Sequence, residues 1–250
     1  MSRKKQIKEI LSGSQILAFT EKKYGRERNV NKVLFTDPYY RFGRIVKEIE
    51  FSVGDAKGRW LDLGCHHGQF LELVEKMFNY NTTGMDDWDL KKDMPFTDFG
   101  YHKVDLADSS WTNFIGVKSV NVISALEVIE HIIDTEKFLG DCKGRLADKG
   151  LLLLSTPNIN CLRNRILVPL GKYPAFMEYT NIIHHVRLFN VRVLKNLLEK
   201  SGFKVKRVTA VSFLPEALLK YSFFEKISRV LAGLLPTLCG NLIVIAQKAD

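Results

Sequence analysis

The chain has 250 residues, with 37 Lys and Arg against 28 Asp and Glu, a formal net charge of +9. At 46% hydrophobic and 26% charged residues it has a globular composition, which excludes intrinsic disorder for most of its length. Cys65, Cys142, Cys161 and Cys239 stand far apart with no CxxC pair, which excludes a disulfide scaffold. No apolar run reaches the ~18 residues of a membrane span, and the basic N-terminus lacks an apolar signal core, so a cytoplasmic protein is expected.

The first 50 residues read as amphipathic helix in two pieces, too short for a core of their own, hence an extension (1–50) ahead of a domain covering 51–250. From about residue 57 short β-rich runs alternate with helical ones, the mark of a parallel sheet covered by helices. Seven strands are predicted: Arg59–Leu63, Thr82–Asp86, Tyr101–Asp105, Val120–Ala125, Leu151–Ser155, Val205–Val211 and Leu242–Ala246. Gln69–Phe78, Thr135–Leu146 and Val191–Lys200 have helical apolar spacing and read as crossovers, and Ser222–Leu235 as a late helix ended by Pro236. The stretch Asn160–Ile183 breaks the alternation, with Pro169, Gly171, Pro174 and the aromatics Tyr173, Phe176 and Tyr179. It reads as an insertion after a strand's carboxyl end, where open α/β sheets bind ligands, so a lid role and a plain structural loop are both open.

Charge is unevenly spread. Residues 1–33 hold nine basic and three acidic side chains and 162–250 hold fourteen and five, whereas 34–161 is acidic. That disfavours a uniformly basic nucleic-acid-binding body.

The sharpest local feature is Trp60-Leu-Asp-Leu-Gly-Cys-His-His-Gly68, an apolar strand running into a turn with Gly64 and Gly68 and then a helix. Glycine admits positive φ and close approach, and the helix start offers unpaired N–H groups. The GxxxG spacing lacks the GxGxxG that seats a dinucleotide pyrophosphate, which disfavours NAD. Asp62, Asp86 and Asp105 lie near the ends of the first three strands, and Asp86 is placed to accept from both hydroxyls of a ribose.

With these residues in view the chain resembles the class I S-adenosylmethionine-dependent methyltransferases, the broad group that includes ubiquinone-pathway O-methyltransferases and many glycan-cluster enzymes. LDLGCHHG resembles the first motif, GMDD the acidic ribose motif, VDLAD the adenine-contact motif, and ALEVIEHI with LADKGLLLLSTPN the fourth and following motifs. VRLFNVRVLKNLLEKSGFKV resembles the C-terminal helix-strand unit, so the likeness covers roughly residues 38–211. The resemblance implies a doubly wound, mostly parallel seven-stranded Rossmann-like sheet and S-adenosylmethionine as cofactor. It implies that Asp62, Gly64 and Gly68 surround the methionine portion, that Asp86, with Asp87 next, holds the ribose, and that Asp105 lies near the adenine. Cys65, His66, Leu106 and Leu126 complete the pocket. The sequence departs from the family at His66, where glycine is usual, and at Asn121, where aspartate is common; histidine is among the residues enriched at positive φ.

Methyl transfer from a sulfonium is a direct displacement, so the protein mainly aligns the partners and excludes water, and a base is needed only for a protonated acceptor. Glu127, Glu130 and His131 fall at i, i+3 and i+4 and would share one face of a helix starting after the fourth strand. With His184 or His185 they would form a divalent-metal site, as similar ExxEH groups do in small-RNA 2′-O-methyltransferases and ubiquinone O-methyltransferases. Without metal, His131 or His185, beside Glu130, is the candidate base. The expected reaction is O-methylation of a small-molecule, sugar or lipid-linked acceptor. The alternatives are an RNA 2′-O-methyltransferase with a metal site, although nucleic acid is disfavoured as a partner, and a catalytically silent binding module. The late helix, with Phe223, Phe224, Ile227, Val230, Leu231 and Leu234 and with Lys220, Lys226 and Arg229 nearby, admits either packing on the sheet or a partner subunit or a peripheral membrane contact.

Overall fold

A computed structural model describes residues 36–53, 57–66, 68–78, 80–87, 99–175, 185–211, 213–214 and 222–249. His184, Phe176, Tyr179, the segment 176–183 and the first helical piece of the extension lie outside these residues.

All seven expected strands form one sheet. In chain order they are β1 (Gly58–Leu63), β2 (Tyr80–Asp86), β3 (Gly100–Lys103), β4 (Val120–Leu126), β5 (Leu146–Pro157), β6 (Phe203–Ala210) and β7 (Asn241–Lys248), arranged β3-β2-β1-β4-β5-β7-β6. Every pairing is parallel except those of β7, which is antiparallel to β5 and β6. The order reverses between β1 and β4, the switch point at whose carboxyl edge doubly wound sheets bind ligands.

Helices cover both faces: α1 (Thr36–Val53), α2 (Gln69–Met77), α3 (Thr135–Arg145), α4 (Leu162–Leu167), α5 (Val191–Lys200) and α6 (Ser222–Leu234). The strand period of two sorts the core. Leu151 and Leu153 of β5 join Trp60, Phe70, Leu71 and Val74 with Ile45, Val46 and Ile49 of α1 on one face, while Leu152 and Leu154 join Leu61, Leu63, Phe138, Leu139, Leu194 and Leu198 on the other. α3 and α5 are each N-capped by a side chain, Asp134 accepting from the Lys137 N–H and Asn190 from the Val193 N–H.

α1 is held to the far side of the sheet by charge as well as packing. Arg44 donates to the Thr209 hydroxyl (2.7 Å) and the Arg229 carbonyl (3.2 Å), and pairs with Glu48 (3.1 Å), which also takes Arg207 of β6.

Three expectations need correction. Asp105 does not end a strand: β3 stops at Lys103, and the exposed Asp105 carboxylate accepts from the Ala107 N–H. The 160–183 stretch is not wholly irregular, since α4 and a 3₁₀ turn (Val168–Leu170) fall within it. Their apolar residues point outward, which hid the helical period. Glu127, Glu130 and His131 do not share a helix face, because Glu127 sits at φ 57 and only Ile129–His131 forms a 3₁₀ turn.

Asn121 lies at the amino end of β4, far from the switch point's carboxyl edge. Its Oδ1 accepts from the Arg59 N–H (2.9 Å), so it is a strand-to-strand tie.

Candidate active site at the switch point

The turn after β1 supplies bare main chain. Gly64 and Gly68 have φ 73 and 72, and His66, the departure from glycine, takes φ 47 in the left-handed region. The turn closes on Gly68 N–H to the Cys65 carbonyl (2.8 Å) and on Gly64 N–H to the Met85 carbonyl (2.8 Å). A Cβ at Gly64 would stand 2.4 Å from Val128 Cγ2, and one at Gly68 2.0 Å from the Phe99 ring. Gly64→Ala is expected to cost about 3 kcal/mol in urea unfolding, combining a left-handed alanine with overpacking.

Asp86 faces this turn. Its Oδ2 accepts from the His66 N–H (2.7 Å) and its Oδ1 from the Asp87 N–H (2.8 Å), with the residue buried. Each oxygen keeps a further lone-pair direction. Burial raises the Asp86 carboxyl to about 6, against the lowering effect of the His66 N–H. Asp62 is buried one residue before the end of β1 and accepts from the Ser124 hydroxyl (2.5 Å), which in turn accepts from Trp60 Nε1–H (2.9 Å). Burial raises Asp62 to about 7, the Ser124 hydrogen bond opposing and the Asp86 charge adding.

The other cofactor candidates are dispersed. Asp87 is exposed beside Asp86. Cys65 packs its sulfur under Gly84, and burial pushes the thiol far up, so it shapes the turn as a core thiol. Leu106 packs on one core and Leu126 on the other.

On the far side of β4 two acids with different surroundings follow each other. Glu127 Oε1 accepts from the Ser155 hydroxyl (2.8 Å) and pairs with Arg41 Nη1 of α1 (3.1 Å), while Asn241 Nδ2 approaches Oε2 (3.4 Å). Glu130 is 1% exposed, and neither carboxylate oxygen has a partner in hydrogen-bonding geometry although the Thr156 hydroxyl lies alongside. Burial first, then the Glu127 charge, raises Glu130 to about 8, so it is largely protonated at pH 7. His131 and His185 stand beside it, ring centroids 4.9 Å apart, and one ligand atom from each of Glu130, His131 and His185 falls within 4.8 Å of the others. Glu127 is not in that group.

A pocket lined by Glu130, Pro157, Ile159, Ala175 and His185 opens next to these residues. The described part of the 160–183 segment is pinned there, the buried Asn164 accepting from the Ala175 N–H (2.7 Å) and donating to the Ile159 carbonyl (2.9 Å).

Sequence reasoning missed Arg41, Ser124, Ser155 and Asn158. The buried Asn158 donates to the Thr237 (3.0 Å) and Cys239 (2.9 Å) carbonyls and ties the end of β5 to the turn before β7. Arg41, Arg44 and Glu48 had a readable signal, charges spaced at helical intervals on the side of α1 that also carries Ile45.

Residues 38–208 match a family model described as a methyltransferase domain, and the chain belongs to that family. A probable S-adenosylmethionine-dependent methyltransferase of Mycolicibacterium smegmatis is 28% identical over 152 residues, 60% of this chain and 54% of its own. The chain thus spans about half the length of that relative. Among solved structures, an S-adenosylmethionine-dependent methyltransferase from Archaeoglobus fulgidus superposes with a TM-score of 0.58 at 18% identity, covering 88% of this chain and 100% of its own. Phosphoethanolamine N-methyltransferase 2 of Haemonchus contortus, in complex with S-adenosyl-L-methionine, gives a TM-score of 0.59 at 14% identity, over 94% of this chain and 60% of its own. These likenesses speak for the fold.

Proposed function

We propose that the chain is an S-adenosylmethionine-dependent methyltransferase acting on an oxygen of a small-molecule, sugar or lipid-linked acceptor. The observation that carries this reading is Asp86, whose carboxylate is turned onto the glycine corner through the His66 N–H. A carboxylate there accepts ribose hydroxyls, and the positive φ of Gly64 and Gly68 gives the turn that sets Asp86 beside the His66 N–H.

In this reading Asp86 holds the ribose and Asp62 lies on the side of the cationic methionine portion, where its negative charge favours an ammonium. Asp87 flanks the ribose, and Asp105 and Leu106 lie toward the adenine side. When bound, S-adenosylmethionine supplies an electrophilic methyl. The protein's own part is to align the acceptor and to receive its proton. His131 or His185 takes that proton from the acceptor hydroxyl, and Glu130, buried beside both rings, adds no charge to the pocket while it is protonated. The same three side chains offer a carboxylate and two imidazoles to a divalent ion, the second way in which the acceptor hydroxyl could be acidified.

Titration with S-adenosylhomocysteine by calorimetry tests the cofactor assignment: micromolar binding is expected, and absence of binding at millimolar ligand would overturn it. Metal analysis of the purified chain, with Co²⁺ absorption as a second readout, separates the two chemistries. Tetrahedral Co²⁺ bands lost in His131→Ala and His185→Ala would assign a metal, and their absence leaves the imidazoles as base.

A further inference from the structure

α6 is built inside out. Its sheet side is small and polar: Ala232 is fully buried, and the buried Ser228 accepts through Oγ from the Phe213 (2.9 Å) and Leu214 (3.1 Å) N–H groups. Its outward side holds Phe223, Ile227, Val230 and Leu234, at i, i+4, i+7 and i+11, with exposures of 67%, 37%, 61% and 72%. A soluble helix places its apolar stripe the other way. A second exposed apolar group lies on α4, the 3₁₀ turn that follows it and the chain just beyond: Leu162, Ile166, Val168, Leu170 and Tyr173, between 43% and 69% exposed.

The two groups adjoin. α4 touches the Pro236–Leu238 turn that follows α6, and Arg165 donates to the Thr237 carbonyl. Both flank the carboxyl edge of the sheet, because α4 follows the end of β5 and the end of α6 leads to Asn241, the first residue of β7, which pairs with Pro157 at the end of β5. The pocket beside Glu130 is lined by Ile159 and Ala175 from the segment that carries α4.

We infer that this apolar band is a docking surface for an anionic lipid bilayer, which sets the pocket against the membrane and makes a membrane-borne amphiphile the acceptor. The acceptor class rests on the methyltransferase reading; the docking does not.

Charge selects the occupant. Residues 158–175 contain Arg163, Arg165 and Lys172 and no acidic side chain, α6 adds Lys226 and Arg229 against the single acid Glu225, and 162–250 as a whole holds fourteen basic against five acidic residues. A second copy of the chain on the same band would bring two such cationic surfaces together. Anionic headgroups complement them, while aromatic and aliphatic side chains enter the boundary below, as for helices that lie on a membrane. Among the described residues no helix is long and apolar enough to cross a membrane, consistent with a surface that lies on one.

The test is co-sedimentation of the full chain with phosphatidylcholine vesicles with and without phosphatidylglycerol, alongside calorimetry with S-adenosylhomocysteine and sedimentation velocity without lipid. Binding is expected to the anionic vesicles only, and to be lost when salt is raised from ~0.1 to ~1 M as the Debye length shrinks. Each of Arg163→Ala and Lys172→Ala should lower the partition coefficient about fivefold. Ile166→Asp and Val230→Asp should lower it about tenfold or more, with cofactor binding and the melting temperature unchanged. Wild-type chain that stays in solution with anionic vesicles while binding S-adenosylhomocysteine overturns the docking alone. Vesicle binding with no cofactor binding overturns the enzymatic reading alone. A dimer in sedimentation that Val230→Asp dissociates would reassign the band to self-association and overturn the proposal.

Discussion

Replacing Asp86 by alanine is expected to weaken S-adenosylhomocysteine binding by about 100-fold or more while the chain stays folded. Two hydroxyl donors to one carboxylate are each worth roughly 1.5–3 kcal/mol, since hydrogen bonds to a charged group are the strong ones. The substitution also strips the His66 and Asp87 N–H groups of their acceptor and so loosens the turn that presents Gly64 and Gly68. Asp86→Asn keeps one acceptor oxygen and the shape but not the charge, and should fall between the alanine variant and the wild type. Asp87→Ala is the control: its exposed carboxylate should contribute less than about 1 kcal/mol. Calorimetry reads the affinities and a thermal melt shows that each variant folds. A larger loss from Asp87→Ala than from Asp86→Ala would move the ribose to the neighbouring carboxylate and withdraw Asp86 from the site.

The features that were legible share a cause. Strands buried on both faces read as continuous apolar runs, which is why β1, β4 and β7 were placed to within two residues, whereas β5 was read from Leu151 and begins five residues earlier, at Leu146, where Asp148 and Lys149 break the run. The glycine corner was legible because positive φ leaves a mark in residue type, and His66 fits because histidine is among the non-glycine residues enriched in that region. Glu127 was illegible for the converse reason. Nothing in a glutamate announces φ 57, and the i, i+3, i+4 spacing of Glu127, Glu130 and His131 suggested a helix that the chain does not make there. The conformation is over-determined from outside, by the Glu127 N–H on the Ser155 carbonyl (2.9 Å) and by Arg41 on its carboxylate. Strain held in this way is found at functional sites, and here it separates one acid, paired and half-exposed, from another, buried and bare of hydrogen bonds, three residues later. Arg41 enters from α1, far away in the chain, so the contrast between the two acids is a tertiary product that no local window contains. Asp105 shows a smaller version of the same limit: a strand end was read from hydrophobicity, but the ladder stops at Lys103, where β2 offers no further partner.

That contrast sets the pH dependence of the protein. Glu130, Asp62 and Asp86 are raised by burial to about 8, 7 and 6 from ordinary values of 4.5, 3.8 and 3.8. Between about pH 4 and 8 the folded chain therefore retains protons that the unfolded chain has released, and stability must fall as pH rises through that window. The apoprotein is expected to melt at a higher temperature at pH 5.5 than at pH 8, opposite to a fold whose carboxylates are salt-bridged. Ligand affinity should run the other way, because a sulfonium and an ammonium favour ionised Asp62, and ribose hydroxyls need an ionised Asp86. S-adenosylmethionine should bind more tightly as pH climbs from 5 to 7, by up to tenfold per unit while one of these carboxylates must lose its proton, and its stabilisation of the fold should be largest at pH 8. Glu130→Gln isolates the largest shift, since a neutral side chain of the same shape occupies the buried position at every pH. Melts across pH 5–9 should show the variant's advantage over the wild type growing by roughly 3–4 kcal/mol between pH 5 and pH 8.5, with S-adenosylhomocysteine affinity intact. A variant whose stability tracked the wild type at every pH would mean that Glu130 is ionised in the folded chain, and its place as a neutral group beside His131 and His185 would be withdrawn.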